Sequence, residues 1–384
     1  MEAVFHAIDQ LNETYISLWE DICNLESPSV DKAAVDQVGL YFANHAKKLG
    51  WQVEILPQER FGDLVFITMN PDATLPPVAL SGHMDTVHPI GSFGTPAVHR
   101  EGNRICGPGV IDCKGGLVAG LLAMDALRLQ GYRERPVMLL LQSNEEIGSG
   151  LDCKDTIAQI CKKAENAVAF LNLEGHEDYF AGKACLVRKG VAGFRFTVTG
   201  VEAHASRCAK EGASAIAEAA HKILEIERLK SHDGATCNCG LISGGTATNT
   251  VPGACQFHVD VRFPDQKTYD ETATQLQQIA DEVYLPGCSC RMELTNLRPA
   301  MELTQRNTGL LAKANELFEA CGLSRLEIGK RTGGSDAADV TVYGIPCIDS
   351  IGVAGERIHS REEYALVDSL AESAKRLAAI ICGI

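Results

Sequence analysis

Two histidines and three acids stand in five short segments of the chain: His83 in SGHMDTVHP, Asp112 in GPGVIDCKGG, Glu146 in LLLQSNEEIGSG, Glu174 in LNLEG and His359 in GERIHSREEY. Imidazole nitrogen and carboxylate oxygen are donors that suit zinc, cobalt and manganese. Five of them suffice for a pair of ions with one carboxylate bridging, and such a pair polarises carbonyls and acidifies water. Glu145 stands directly before Glu146. If Glu146 binds metal, its neighbour is held close to the ions but cannot take the same ligand position, which leaves it free to accept a proton from activated water. Asp85 lies two residues past His83, so in an extended segment both point the same way and Asp85 can accept the second imidazole N–H, fixing its tautomer. Taken singly, each residue reads as a loop histidine or a solvated acid; their placement decides between the readings.

That placement comes from the elements around them. VMLLLQ from Val137 is a short apolar run of the kind buried on both faces of a parallel sheet, and it stops just before the glutamate pair. PPVALSGHMD supplies a strand ending near Ser81, VMLLLQSNEE one ending near Gln142, and AVAFLNLEG one ending near Leu173. Between the first two, KGGLVAGLLAMDALRLQG carries Leu117, Leu121, Met124 and Leu127 at helical spacing, with Gly131 as the stop. The first four candidate ligands are 29, 34 and 28 residues apart. Each gap is about one βαβ unit, which returns successive strand ends to one edge of a sheet, where open α/β sheets bind their ligands.

From about Arg188 the texture changes. GFRFTVTG sends Phe194, Phe196 and Val198 to one face, and CQFHVDVRF does the same with Phe257, Val259, Val261 and Phe263, as in an antiparallel sheet with one wet side. The expectation is an α/β catalytic domain with a mostly parallel sheet flanked by helices, formed by residues 1–187 and 299–384. An α+β lid or dimerisation domain with an antiparallel sheet, residues 188–298, is inserted in it.

The chain has 384 residues, 45% hydrophobic and 22% charged, a globular composition long enough for two domains. A net charge of -15 argues against nucleic acid or anionic membrane as partner, since both require a cationic surface. The N-terminus lacks the basic start and apolar block of a signal peptide, and no segment reaches the roughly 18 apolar residues of a membrane span. Fifteen cysteines without an export signal fit a reducing cytosol, with CNC and CSC read as buried thiols, so the expected location is cytoplasmic. A phosphate loop at GPGVIDCKGG is ruled against by its glycine spacing and missing Gly-Lys-Ser/Thr ending.

Together SGHMDTVHP, GPGVIDCKGG, NEEIGS, LEG and IHS resemble, over nearly the whole chain, the di-zinc aminoacylase and carboxypeptidase family. That family includes glutamate carboxypeptidase, acetylornithine deacetylase, succinyl-diaminopimelate desuccinylase and peptidase T. The resemblance implies two divalent ions per subunit, zinc first and cobalt or manganese as alternatives. It implies that Asp112 bridges them, that His83 and Glu174 complete one site and that Glu146 and His359 complete the other. It makes Glu145 the general base and the peptide after Asp112 cis. In the lid it implies dimerisation, a His204 in GVEAHAS that steadies the oxyanion in the partner subunit, and an Asn249 in SGGTATNTVPG that contacts substrate there. Arg262 in VDVRF matches the grip on a substrate carboxylate, and Gly334 and Ser335 in TGGSDA match a turn that donates to it. From the residues alone, His204 reads as a surface loop and Arg262 as a solvated sheet face.

Glu rather than Asp at position 174 sides with carboxypeptidases and deacylases. The expected activity is hydrolysis of an amide bond to an amino acid with a free carboxylate, in a small peptide, as in glutamate carboxypeptidase. The alternative is an N-acyl amino acid deacylase, and a remote one is a non-catalytic metal-binding protein.

Overall fold

The computed structural model describes residues 1–148, 154–231 and 234–384. Ser149 and Gly150, which end the glutamate motif, lie outside the described residues.

The central sheet contains β1 (Gln52–Leu56), β2 (Leu64–Met69), β3 (Val78–His83), β4 (Val137–Gln142) and β5 (Ala169–Asn172), in the order β1-β2-β4-β3-β5, and the short strand Cys347–Ile348 closes its far edge. The first two strands pair antiparallel, and β2 meets β4 antiparallel; β3 runs parallel to both β4 and β5. Every residue of β3, β4 and β5 is buried, as an unbroken apolar run predicts for a sheet covered on both faces. Helices Glu2–Asn24, Lys114–Leu129 and Ser369–Gly383 pack together on one face; helices Lys154–Lys163 and Asp336–Tyr343 cover the other.

Registration follows from the parallel ladder. His83 is level with Gln142, and Ser81 with Asn172, so β3, β4 and β5 end together at one edge. The helix Lys114–Leu129 crosses from that edge, and its first turn passes so near β5 that a Cβ on Gly116 would lie 1.9 Å from the Leu173 carbonyl oxygen. Glycine there lets the segment carrying Asp112 come down beside His83 and Glu174. The Asp112–Cys113 peptide is cis.

Strands Lys183–Arg188 and Glu327–Arg331 pair in parallel, and Arg188 exchanges backbone hydrogen bonds with Met301. Between these crossings a second, antiparallel sheet forms from β6 (Gly190–Thr199), β7 (Thr236–Gly244), β8 (Ala254–Phe263) and β9 (Ser289–Arg298), in the order β7-β8-β6-β9. Phe194, Phe196, Val198, Phe257, Val259, Val261 and Phe263 are buried in a core of their own with helices Ala215–Glu227 and Gln266–Asp281. His258, Asp260 and Arg262 alternate onto the wetter face. Lys222, buried between the two helices, pairs with Glu218 at 3.1 Å and donates to the carbonyls of Ile279 and Ala280, so its charge is compensated where water is excluded.

No described helix is long and apolar enough to cross a membrane. The described cysteines are free thiols.

Candidate metal centre and active site

At the common edge of β3, β4 and β5 the five predicted ligands form one chain of contacts. The two carboxylate oxygens of Asp112 face one imidazole each, His83 Nε2 at 3.0 Å and His359 Nε2 at 3.1 Å. His359 Nε2 lies 3.2 Å from Glu146, and His83 Nε2 lies 3.7 Å from Glu174. These spacings approach the roughly 3.3 Å that separates two donors bound about 2.0–2.1 Å from one tetrahedral zinc. Asp112 is the central member, as a bridging carboxylate requires.

The charge balance supports the same fit. Burial first, and the Asp112 charge next, push the Glu146 carboxyl up to about 7, and the same two causes raise Glu174 well above the usual carboxylate range. Burial opposes charge on His83, yet Cys113, Asp112 and Asp85 together hold its imidazole well above the ordinary value. Hydrogen bonds from its imidazole to Asp112 and Glu146 push His359 up to about 11. Three converging carboxylates thus draw positive charge to this edge, and neutral imidazoles with dications meet that demand as well as protons do.

Asp85 meets the His83 ring with both its backbone carbonyl and its carboxylate. The nearest partner of His83 Nδ1 is the Asp85 backbone carbonyl at 2.9 Å, with the carboxylate at 3.4 Å. The strand ends at His83 and bends at Met84, which swings the next carbonyl under the ring. The Asp85 carboxylate also accepts the backbone N–H groups of Glu145 and Glu146, at 3.1 and 3.2 Å, and the Ser29 hydroxyl at 2.6 Å. One acid therefore ties the histidine segment to the glutamate turn.

Glu145 is ion-paired with Arg298, whose Nη2 also donates to the Glu145 carbonyl at 3.0 Å and lies 3.5 Å from Asp336. Arg188 donates through Nε to Asp349 at 2.5 Å and through Nη1 to the carbonyls of Gly333 and Gly334, at 3.3 and 3.2 Å. Neither arginine was singled out from the sequence. The only available signal was a lone arginine at each crossing between the two sheets, which is too common a pattern to mark a site.

A cavity of about 590 Å³ opens over this cluster, a size ordinary for small-molecule sites. Asp112, Glu145, Glu146, Glu174 and His359 line its floor; Arg188, Arg262, Arg298, Arg331 and Gly334 line its walls. Arg262 arrives from β8 and is held by Asp260 through two hydrogen bonds of 2.7 and 3.1 Å. Ser335 is placed differently from Gly334. Its hydroxyl caps the helix Asp336–Tyr343 and accepts from Asn172 at 2.9 Å, so Thr332, Gly333 and Gly334 are the residues of this turn that face the cavity.

His204 and Asn249 are not brought to the cavity. His204 is exposed, ladders with Thr250, and has Ser206 Oγ 2.8 Å from its Nδ1; the Asn249 carbonyl accepts from Ala205. The two lie beside each other on the antiparallel module, away from the ligand cluster of their own chain.

The chain is similar to known proteins. The chain is 25% identical over 372 residues to carboxypeptidase G2 of Pseudomonas sp. (strain RS-16), covering 96% of this chain and 88% of that one. It is 28% identical over 324 residues to acetylornithine deacetylase of Myxococcus xanthus, covering 76% of each. A crystal structure from Bacillus subtilis, described as a dinuclear metal binding peptidase, superposes with a TM-score of 0.70 at 15% identity, over 98% of this chain and all of the other. Residues 79–382 match the model of Peptidase family M20/M25/M40, a span that takes in the five ligand segments and the antiparallel module. The chain belongs to peptidase family M20/M25/M40.

Proposed function

We propose that the protein hydrolyses the amide bond of a small peptide to a C-terminal acidic amino acid, in the manner of a glutamate carboxypeptidase. The observation that carries this reading is the cavity wall. Six carboxylates (Asp112, Glu145, Glu146, Glu174, Glu177 and Asp260) line the cavity against four arginines, Arg188, Arg262, Arg298 and Arg331. Two divalent ions would offset the ligand carboxylates and leave the guanidinium groups of the wall to meet a substrate with one carboxylate on its α-carbon and another on its side chain.

His83, Asp112, Glu146, Glu174 and His359 would hold the ions, zinc first with cobalt or manganese as alternatives. The ions would supply Lewis acidity toward the scissile carbonyl and acidify the attacking water. Glu145 takes the proton from that water and returns it to the leaving amine. Its position, held at the backbone by Asp85 and at the carboxylate by Arg298, keeps it beside the ligands without spending it as one. Arg262 and the Gly334 turn bind the substrate carboxylate; planar guanidinium is apt for a planar anion.

The antiparallel module, residues 188–298, serves as lid and dimer contact in this reading. β7 is an edge strand with Leu241 and Ile242 exposed at 68% and 57%, and Leu224 and Ile216 are also exposed on the neighbouring helix. Unprotected apolar edges of this kind invite pairing with a second copy. The partner subunit's His204 would then reach the oxyanion and the partner subunit's Asn249 the substrate.

Removing the Arg262 side chain tests the carboxylate grip. Arg262→Ala should raise KM for substrates with a free α-carboxylate about 10- to 100-fold, the usual weight of a charge-assisted hydrogen bond. Metal content should stay at the wild-type level; parallel loss of metal would trace the effect to misfolding.

The activity itself is tested by amine release from zinc- or cobalt-loaded protein and from a chelated control, against dipeptides ending in glutamate and a panel of N-acetyl amino acids. Chelator-sensitive release chiefly from the glutamate peptides is the expected result. Release confined to the acylated amino acids would replace the carboxypeptidase with a deacylase.

A further inference from the structure

Glu363 follows His359 by four residues and is 1% exposed, a buried carboxylate outside the ligand set. Its Oε1 accepts the backbone N–H of Ile111 at 3.1 Å and of Asp112 at 3.3 Å. Its Oε2 lies 2.9 Å from Nε2 of His88, which is itself buried and packs edge-on against Phe93. The Glu363 carbonyl accepts from the Gly107 N–H at 3.2 Å. One residue thus touches the segment that carries His83, the segment that carries Asp112, and the segment that carries His359.

The His359 segment needs such an anchor. Arg357 and His359 are both non-glycine residues with positive φ, 66° and 62°, a conformation that L residues adopt only when the surroundings hold them there. The His359 side chain is 53% exposed, so packing around the ring does not hold it. From Arg357 to Glu362 the turn's own bonds close on themselves, with Ser360 N and Oγ donating to the Arg357 carbonyl and Glu362 N donating to Ser360 Oγ. The flanking strands hold the ends of this turn through Gly355–Glu356 on Tyr364–Leu366 and the latter on Arg104–Cys106, and the Glu363 side chain is what links the turn directly to the backbone of the Asp112 segment.

We infer that Glu363, steadied by His88, is a positioning residue for metal binding: it fixes the separation of Asp112 and His359, and through them the ion they would share with Glu146. The inference rests on the metal reading proposed above. Hydrogen-bond geometry does the work, so a neutral residue of the same reach serves and a charged residue of shorter reach fails. An amide oxygen at position 363 still accepts both backbone N–H groups, and its NH2 meets the acceptor tautomer of His88. An aspartate falls one methylene short of all three partners.

Wild type, Glu363→Gln and Glu363→Asp are compared by chelator competition for zinc and by the visible spectrum of the cobalt-loaded proteins, with thermal melts of the metal-free forms as the folding control. Glu363→Asp should weaken the ion of the Asp112, Glu146 and His359 set about 10- to 100-fold, the usual cost of losing an outer hydrogen-bond partner, and alter the cobalt spectrum. Glu363→Gln should stay within about 3-fold of wild type, since the bonds that orient the ligands survive. If Glu363→Asp does not fold, His88→Asn, which removes one of the three bonds, should weaken the same ion to a smaller degree. Wild-type affinity in folded Glu363→Asp, or in His88→Asn where it substitutes, overturns the inference. So does equal loss in the Gln and Asp variants, which would make charge rather than reach decisive. Wild type that takes up no ions would instead overturn the metal reading itself.

Discussion

Glu145→Gln should bind both metal ions at wild-type affinity and lose at least about 10³ in kcat, in line with removal of a general base whose exact placement also matters. The expectation follows from how the turn after β4 divides its two acids. Glu146 faces His359 and Asp112, whereas Glu145 faces the cavity and Arg298. The Asp85 carboxylate clamps the backbone N–H groups of both, so the turn keeps its shape when one side chain changes. Glutamine preserves the size and an acceptor oxygen for Arg298; it removes the charge and with it the capacity to take up a proton. Metal analysis beside steady-state kinetics separates the two roles. Turnover within 10-fold of wild type would remove Glu145 from the mechanism.

His204→Ala should be the second large loss, about 10² to 10³ in kcat, the usual cost of one oxyanion donor. Within a single chain the histidine has no route to this role: it is exposed on the antiparallel module and does not line the cavity. A two-fold dimer through that module would place it in the neighbouring site. Mixing His204→Ala with Glu145→Gln then distinguishes the arrangements. Each heterodimer regains one complete site, with Glu145 from one chain and the partner subunit's His204 from the other, so random exchange should restore about a quarter of wild-type activity from two inactive proteins. Absence of recovery in verified heterodimers would place His204 outside the partner's site.

The buried strands and the ligand edge were legible in the chain because they depend on local pattern. VMLLLQ is an apolar run short enough to be a strand and unbroken enough to be buried on both faces, VALSGH and AFLN open on shorter apolar runs, and the structure ends the three at Gln142, His83 and Asn172. Residues at such an end, or up to four positions beyond it, emerge at the sheet edge, so spacing alone points to His83, Glu146 and Glu174 as neighbours there. The alternation of β6 and β8 likewise told inward from outward residues correctly, because side chains in a strand alternate whatever the partner.

What remained hidden depends on contacts between distant segments. Arg298 meets Glu145 across 153 residues, Arg188 meets Asp349 across 161, and Glu363 meets Asp112 across 251. No spacing rule couples such positions, since a buried arginine and a solvated one look alike until the fold supplies or withholds a carboxylate. Asp85 shows the same limit at short range: the bend after His83 brings a backbone carbonyl closer to the ring than the expected carboxylate, and that carboxylate gains further partners in another turn. By itself the sequence determined which strands are buried, at which edge they end and which donors emerge there, because those follow from periodicity and composition. Only the tertiary structure decided which charges face one another, because that depends on directions and distances between segments that periodicity does not encode.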